Sequence, residues 1–188
     1  MTIAFPTAKI ARAELIATRF QSRVVSPYGG HTQSSDKGAT LAFQLAFVPT
    51  QGDEALELEA WLESPKEFYM GPPGYTGPSG LGSPLINGAG QAGTAINTNG
   101  WTGSTTVLKT GQWVQIGDAL HRVAGPAVTN AGGAVTLTLT RPLRTATIDN
   151  DPINYTHPRG LFRIAAASRP SSKVPLFTTV SVTVEAVL

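Results

Sequence analysis

Three groupings of residues in this chain have types and spacings that could do chemistry. Gly88, Gly90 and Gly93 in GAGQAG stand at the GxGxxG spacing of dinucleotide sites. That motif works only between a strand and a helix whose N-terminus meets the pyrophosphate, with an acidic residue about twenty positions on for the ribose. Here SPLIN precedes it and TAINTNGW follows, where Asn97, Asn99 and Gly100 are unsuited to a helix interior, and no carboxylate lies at the ribose distance. The run is therefore expected to be a glycine-rich loop that holds no cofactor. A second grouping is Asp118 three residues before His121, with Ser104 upstream, from which a proton relay can be drawn on paper. There is no GxSxG elbow to expose the serine, and an Asp between two strands is a common turn residue. His121, next to Arg122, is expected to be a solvated side chain. The third grouping is Glu54, Glu57, Glu59 and Glu63, expected to form a solvated helix face, not an acid/base pair. His31, His121 and His157 show no pair at ligand spacing, and with 0 Cys there is no thiolate zinc site. No catalytic, cofactor-binding or metal-binding residue is predicted, and the chain is expected not to be an enzyme.

Composition points the same way. A length of 188 residues suits one compact domain or two small ones, with enough chain to bury a core without disulfides. Charged residues make up 14%, against about 25% in an ordinary soluble domain. Thr, Ser, Asn, Gln and Gly fill the polar positions, and so neutral a surface tolerates packing against copies or partners. Lys plus Arg exceed Asp plus Glu by 14 − 12 = 2, and Lys9, Arg12, Arg19 and Arg23 form no dense cluster with interleaved aromatics, so no nucleic-acid contact is required. Pro6 and Lys9 interrupt the apolar run that a signal peptide would need, and no stretch reaches transmembrane length. The expectation is a protein made in the cytoplasm that does not enter a membrane.

The elements that must position any site are mostly strands. Leu41, Phe43, Leu45 and Phe47 alternate with smaller residues, Val135, Leu137 and Leu139 with threonines, and Val180, Val182 and Val184 with polar residues; period two puts one set on one face. Residues 50 to 65 break this pattern. Ala55, Leu58, Trp61 and Leu62 recur at three and four, predicting a short amphipathic helix with Thr50 and Asp53 as a capping pair and Pro65 as its stop. From Gly71 to Leu108 there is no Asp, Glu, Lys or Arg, and half of the 20 glycines fall there. Its apolar anchors Tyr75, Leu81, Leu85, Ile86, Ile96 and Trp101 predict an ordered, extended connection that leans on a neighbour. From Val107 to Arg144, short strands with turns at Gly117-Asp118 and at Asn130 to Gly133 predict a small barrel. The fold class predicted is mainly β: a β-sandwich with one short α-helix (1–84 and 150–188) and an inserted small β-barrel (85–149).

The series SPYGG (26–30), a polar hairpin QSSDKG, an apolar strand, an acidic-Ala helix ending in WL, and EFYMGPP resembles the N-terminal half of the distal tail proteins, or minor tail proteins, of long-tailed bacteriophages. INGAGQAG (86–93), NGW (99–101), VLKTGQWVQIGD (107–118), HRV (121–123), GGAVTLTLTRPLR (132–144) and GLFRIA (160–165) follow in that family's order. The resemblance covers nearly the whole chain and departs where SPKEFYMGPPGYTGPSG stands in place of a shorter loop. It implies a structural virion protein at the tail tip: a ring of six copies that joins the tail tube to the hub, with the tube, tape-measure and tail-tip hub proteins as partners and no cofactor. Two other functions compete: a carbohydrate-binding module, in which Trp101 or Trp113 stacks on a sugar, and a tail tube or head-tail connector protein.

Overall fold

A computed structural model describes residues 4–25, 32–63, 67–168 and 180–187, with only the backbone described in 17–25, 32–40 and 166–168. SPYGG, His31, Pro65 and Leu188 lie outside the described residues. In chain order the elements are β1 (Ile10–Val25), β2 (Thr32–Phe47), α1 (Asp53–Glu63) and β3 (Phe68–Met70), then β4 (Gly82–Ile86), β5 (Gly93–Trp101), β6 (Thr106–Leu108) and β7 (Trp113–Ile116). There follow β8 (Ala119–Arg122), β9 (Ala127–Val128), β10 (Val135–Leu143), β11 (Ile153–Asn154), β12 (Gly160–Ser168) and β13 (Ser181–Ala186). The architecture is mainly β, antiparallel and sandwich-like, with one α-helix among the described residues.

The chain divides into two units, called outer and inner for their place along the sequence: an outer unit, residues 1–68 with 162–187, and an inner unit, 69–161. The boundaries expected from the sequence, 84/85 and 149/150, fall inside the inner unit. The reason is pairing: β4 lies against β5, and Ile153 and Tyr155 belong to the inner core, so the flanking segments go with it.

One five-stranded sheet, in the order β1-β2-β13-β12-β3, organises the outer unit. Its alternation is the one predicted: Leu41, Phe43, Leu45 and Phe47 of β2 are buried, and β13 sets Val182 opposite Leu45 and Val184 opposite Phe43. Residues opposite one another in an antiparallel pair share a face, so these side chains form one apolar surface. QSSDKG is not the hairpin expected: it lies within the continuous strand β2, and its residues 33–36 pair with β1. Helix α1 buries Leu58 and Trp61, and the Trp61 ring meets Phe68 at 4.9 Å, Phe5 at 5.5 Å and Phe47 at 6.0 Å. The predicted capping pair of Thr50 and Asp53 does not form. The first amides of the helix, Ala55 and Leu56, donate to the Gly52 carbonyl, while the Thr50 hydroxyl is buried with no partner; Gly52 takes the cap at a φ of 65°, open to glycine at no steric cost.

The inner unit has three small sheets, β10-β5-β4, β11-β7-β8 and β6-β9, around one core that includes Ile86, Ile96, Trp101, Val114, Val123, Leu137 and Tyr155. The sheets meet at two seams, each a single bridge: Leu85 with Pro152, between β4 and β11, and Val123 with Leu139, between β8 and β10. The strands thus follow one another around the core, but the described residues form no closed barrel, which corrects the prediction. Proline explains part of this: Pro84 and Pro152 have no N–H to give to a ladder. The charge-free stretch is also not an extended connection. It supplies β4, β5 and β6 and five core residues, Ile86, Ile96, Trp101, Val107 and Leu108. The turn at Gly133 is fixed by a close approach: a Cβ there would collide with the Trp101 carbonyl, and its φ is 72°.

Strand β13 lies between β2 and β12, so the outer sheet is split without it. Val180, Val182 and Val184 are 2%, 1% and 0% exposed, and each buried valine contributes roughly 1.5 to 3 kcal/mol, against a whole-domain stability of about 5 to 15 kcal/mol. Deleting residues 180–188 is expected to give insoluble protein with no cooperative melt. A truncated chain that melts near the full-length temperature would contradict this placement.

Candidate functional site

The GAGQAG run is the tight connection between β4 and β5, and a strand follows it where a phosphate site would need a helix. Its amides are already committed. The Gly88 amide donates to Asp149 Oδ1 at 2.7 Å, the Gly90 amide to the Thr147 carbonyl at 2.7 Å and the Gln91 amide to Thr147 Oγ1 at 3.0 Å. Gln91 pins the loop from inside: Nε2 donates to the carbonyls of Asn87, Gly88 and Asn97 at 2.9, 3.0 and 3.2 Å, and Oε1 accepts from the Asn97 amide at 2.7 Å. A phosphate arriving here would find the amides of Gly88, Gly90 and Gln91 taken and meet the Asp149 carboxylate, which repels it.

Ser104, Asp118 and His121 do not form a relay. Asp118 Oδ1 accepts a hydrogen bond from the Tyr69 hydroxyl at 2.6 Å, and neither ring nitrogen of His121 has a hydrogen-bond partner. Ser104 sits in another turn, at a φ of 54°, its amide donating to the Asn130 carbonyl. The helix carboxylates are exposed as expected, and Glu57 accepts from the Thr7 hydroxyl at 2.6 Å. Among the described residues no three His, Asp or Glu side chains gather closely enough to hold a metal ion. No helix among them is long and apolar enough to cross a membrane.

Two expectations about aromatic and basic side chains are overturned. Trp101 and Trp113 are 5% and 7% exposed, so neither offers a face for stacking on a sugar. Trp101 Nε1 donates to Thr98 Oγ1 at 2.8 Å and its ring lies 5.2 Å from Tyr155, while Arg122 covers Trp113 at 5.6 Å from the ring centre. His121 is 6% exposed, not solvated. Its strand position explains why: His121 pairs with Val114, a core residue, and so shares its face. Arg141, on β10 across the β8/β10 seam, donates weakly to the Leu120 carbonyl at 3.5 Å. Burial, aided by the positive charge of Arg141, pushes the His121 ring down to about 4. Burial, and then the neighbouring Arg144, lowers Arg141 as well.

The sequence signal missed here was Val114 opposite His121, legible only once the β7–β8 register is known. At the β4/β11 seam lies a groove of about 580 Å³, with Ser83, Pro84, Gln115, Asp151 and Asn154 in its lining. No protein-family model matches the chain, and no curated protein matches it.

His121 makes stability depend on pH. Its value of about 4 in the folded chain lies below the 6.5 of an exposed histidine, so the unfolded state binds more protons between those values and stability falls as pH drops through that window. The loss amounts to about 3 kcal/mol at most. Urea melts at pH 7.5, 5.5 and 4 should show His121→Leu losing less stability than the parent over this range. Identical profiles would contradict the burial of a neutral ring.

Proposed function

We propose that this chain is a structural virion protein, a subunit of the distal ring of a long-tailed bacteriophage tail. In this reading six copies close the ring at the tail tip and join the tail tube to the hub, with the tape-measure protein as a further neighbour. The chain is made in the host cytoplasm, and the work it does is assembly, with no catalytic step. The ordered series of segments from INGAGQAG to GLFRIA supports the family, and the low charge supports close packing of copies.

The observation that carries the reading is strand β1. It is 16 residues long and stands at the end of the sheet. Its neighbour β2 buries Leu41, Phe43, Leu45 and Phe47, yet residues 11–15 of β1 are exposed on both faces. Ala13 and Leu15 lie opposite Leu45 and Phe43, so the apolar face runs on past the covered area. Leu15 is 42% exposed. A long edge strand is an open template for pairing. The usual guards are thin here: there is no Pro or Lys in residues 10–16, and Arg12 and Glu14 pair with each other. A second copy that lays a different part of its surface along this edge would cover Leu15, and repeating that heterologous contact around an axis closes a ring.

Native mass measurement on concentrated full-length chain is expected to find closed oligomers. Leu15→Glu should leave monomers that melt within a few degrees of the parent, because Leu15 contributes little to the fold of one copy. A parent chain that stays monomeric at millimolar concentration, or variant oligomers of unchanged mass, would count against the ring.

A further inference from the structure

The groove at the β4/β11 seam is a consequence of how the inner unit is built. Strands β4 and β11 touch at Leu85 and Pro152 and then splay, leaving about 580 Å³ between residues 82–85 and 151–156. Such a gap at a strand edge would ordinarily invite an extended peptide, which adds through backbone hydrogen bonds. Three features here work against that. Pro84 and Pro152, one on each side, have no amide hydrogen to offer. The Tyr155 hydroxyl closes off the start of β4, accepting from the Leu81 amide at 3.0 Å and donating to the Gly82 carbonyl at 3.0 Å.

The side chains are more inviting than the backbone. Asn154 is held by both ends of its amide, Nδ2 donating to the His157 carbonyl and Oδ1 accepting from the His157 amide, each at 3.0 Å. Gln115 is held in the same way, Nε2 donating to the Gly117 carbonyl and Oε1 accepting from the Arg159 amide, each at 2.9 Å. Each amide keeps one N–H and one lone pair unused, already oriented, so a ligand would lose little entropy in ordering them. Asp151 and Ser83 complete the set: neither side chain makes a hydrogen bond or ion pair among the described residues, and no cationic side chain lines the groove. Pro84, Leu85 and Pro152 give it an apolar side.

We propose that this groove binds a neutral saccharide. A ring bearing several hydroxyls and one C–H face matches a site with fixed amide donors and acceptors, one free carboxylate that accepts from two hydroxyls, and a proline-lined wall. Anionic ligands meet Asp151 with no cation to offset it. A simple amine would use the carboxylate and leave the two amides idle. The site is independent of Trp101 and Trp113, and it needs no second copy of the chain, so its test does not depend on ring formation.

Full-length protein titrated with chitotriose, lactose and maltotriose by calorimetry, with spermidine as the cationic control, reads the proposal directly. The expected result is saturable binding of at least one saccharide and none of spermidine. Asp151→Asn should weaken that binding by about tenfold or more, since a charged acceptor is lost, and Ser83→Trp should abolish it by filling the groove. Both variants should melt like the parent, because neither side chain supports the fold. No saccharide binding at millimolar concentration, binding unchanged in both variants, or a preference for spermidine would overturn the assignment.

Discussion

The outer sheet depends on one non-local pairing: β13, at the far end of the chain, sits between β2 and β12. Until that strand is in place, Phe43 and Leu45 lack their cross-strand partners Val184 and Val182. Contacts this distant in sequence must overcome loop closure before they return any stability. They also dictate the topology. A sheet that needs both chain ends can only carry the middle of the chain as an insertion, which therefore has to bury a core of its own.

The inner unit meets that demand with very short strands, several of only two to four residues. Such strands can surround a core without laddering at every step, and the two places where they fail are the two places where polar chemistry collects. At the β8/β10 seam the partially completed wall leaves the His121 ring buried with neither nitrogen hydrogen-bonded, and Arg141 half-buried with a weak bond to the Leu120 carbonyl. At the β4/β11 seam the missing ladder opens a groove, and Tyr155 substitutes one phenol hydroxyl for two backbone partners. Buried polar groups are costly when left unpaired, so the Tyr155 bonds are structural necessities, while the orphaned nitrogens of His121 are a standing liability that acid exposes.

Much of this was legible in the sequence where period and turn chemistry agreed. Strands β2, β10 and β13 are marked by strict alternation, α1 by its three-four spacing, and the β7–β8 turn by Gly117-Asp118. The charge-free stretch was misread because its strands carry Gly, Pro, Ser and Asn, which depress β propensity, and because Ile96 and Thr98 take their burial from β10, far along the chain. Local pattern also favoured Thr50 as the cap over Gly52, whose positive φ no spacing rule reveals. Of the candidate site, the rejection of GAGQAG as a nucleotide loop rested on its flanks, and the committed amides and Asp149 give that a geometric basis. The burial of His121, Trp101 and Trp113 could not be read from composition, because each depends on a cross-strand neighbour.

In the proposed reading, strand β1, which stands at the end of its sheet, is completed by contact with other copies. An electron-microscopy map of the intact particle containing this chain tests that most directly. The account predicts several copies in one closed ring at the tail tip, each with β1 against its neighbour. A single copy, many stacked rings along the tube, or a ring in which β1 faces solvent would contradict it.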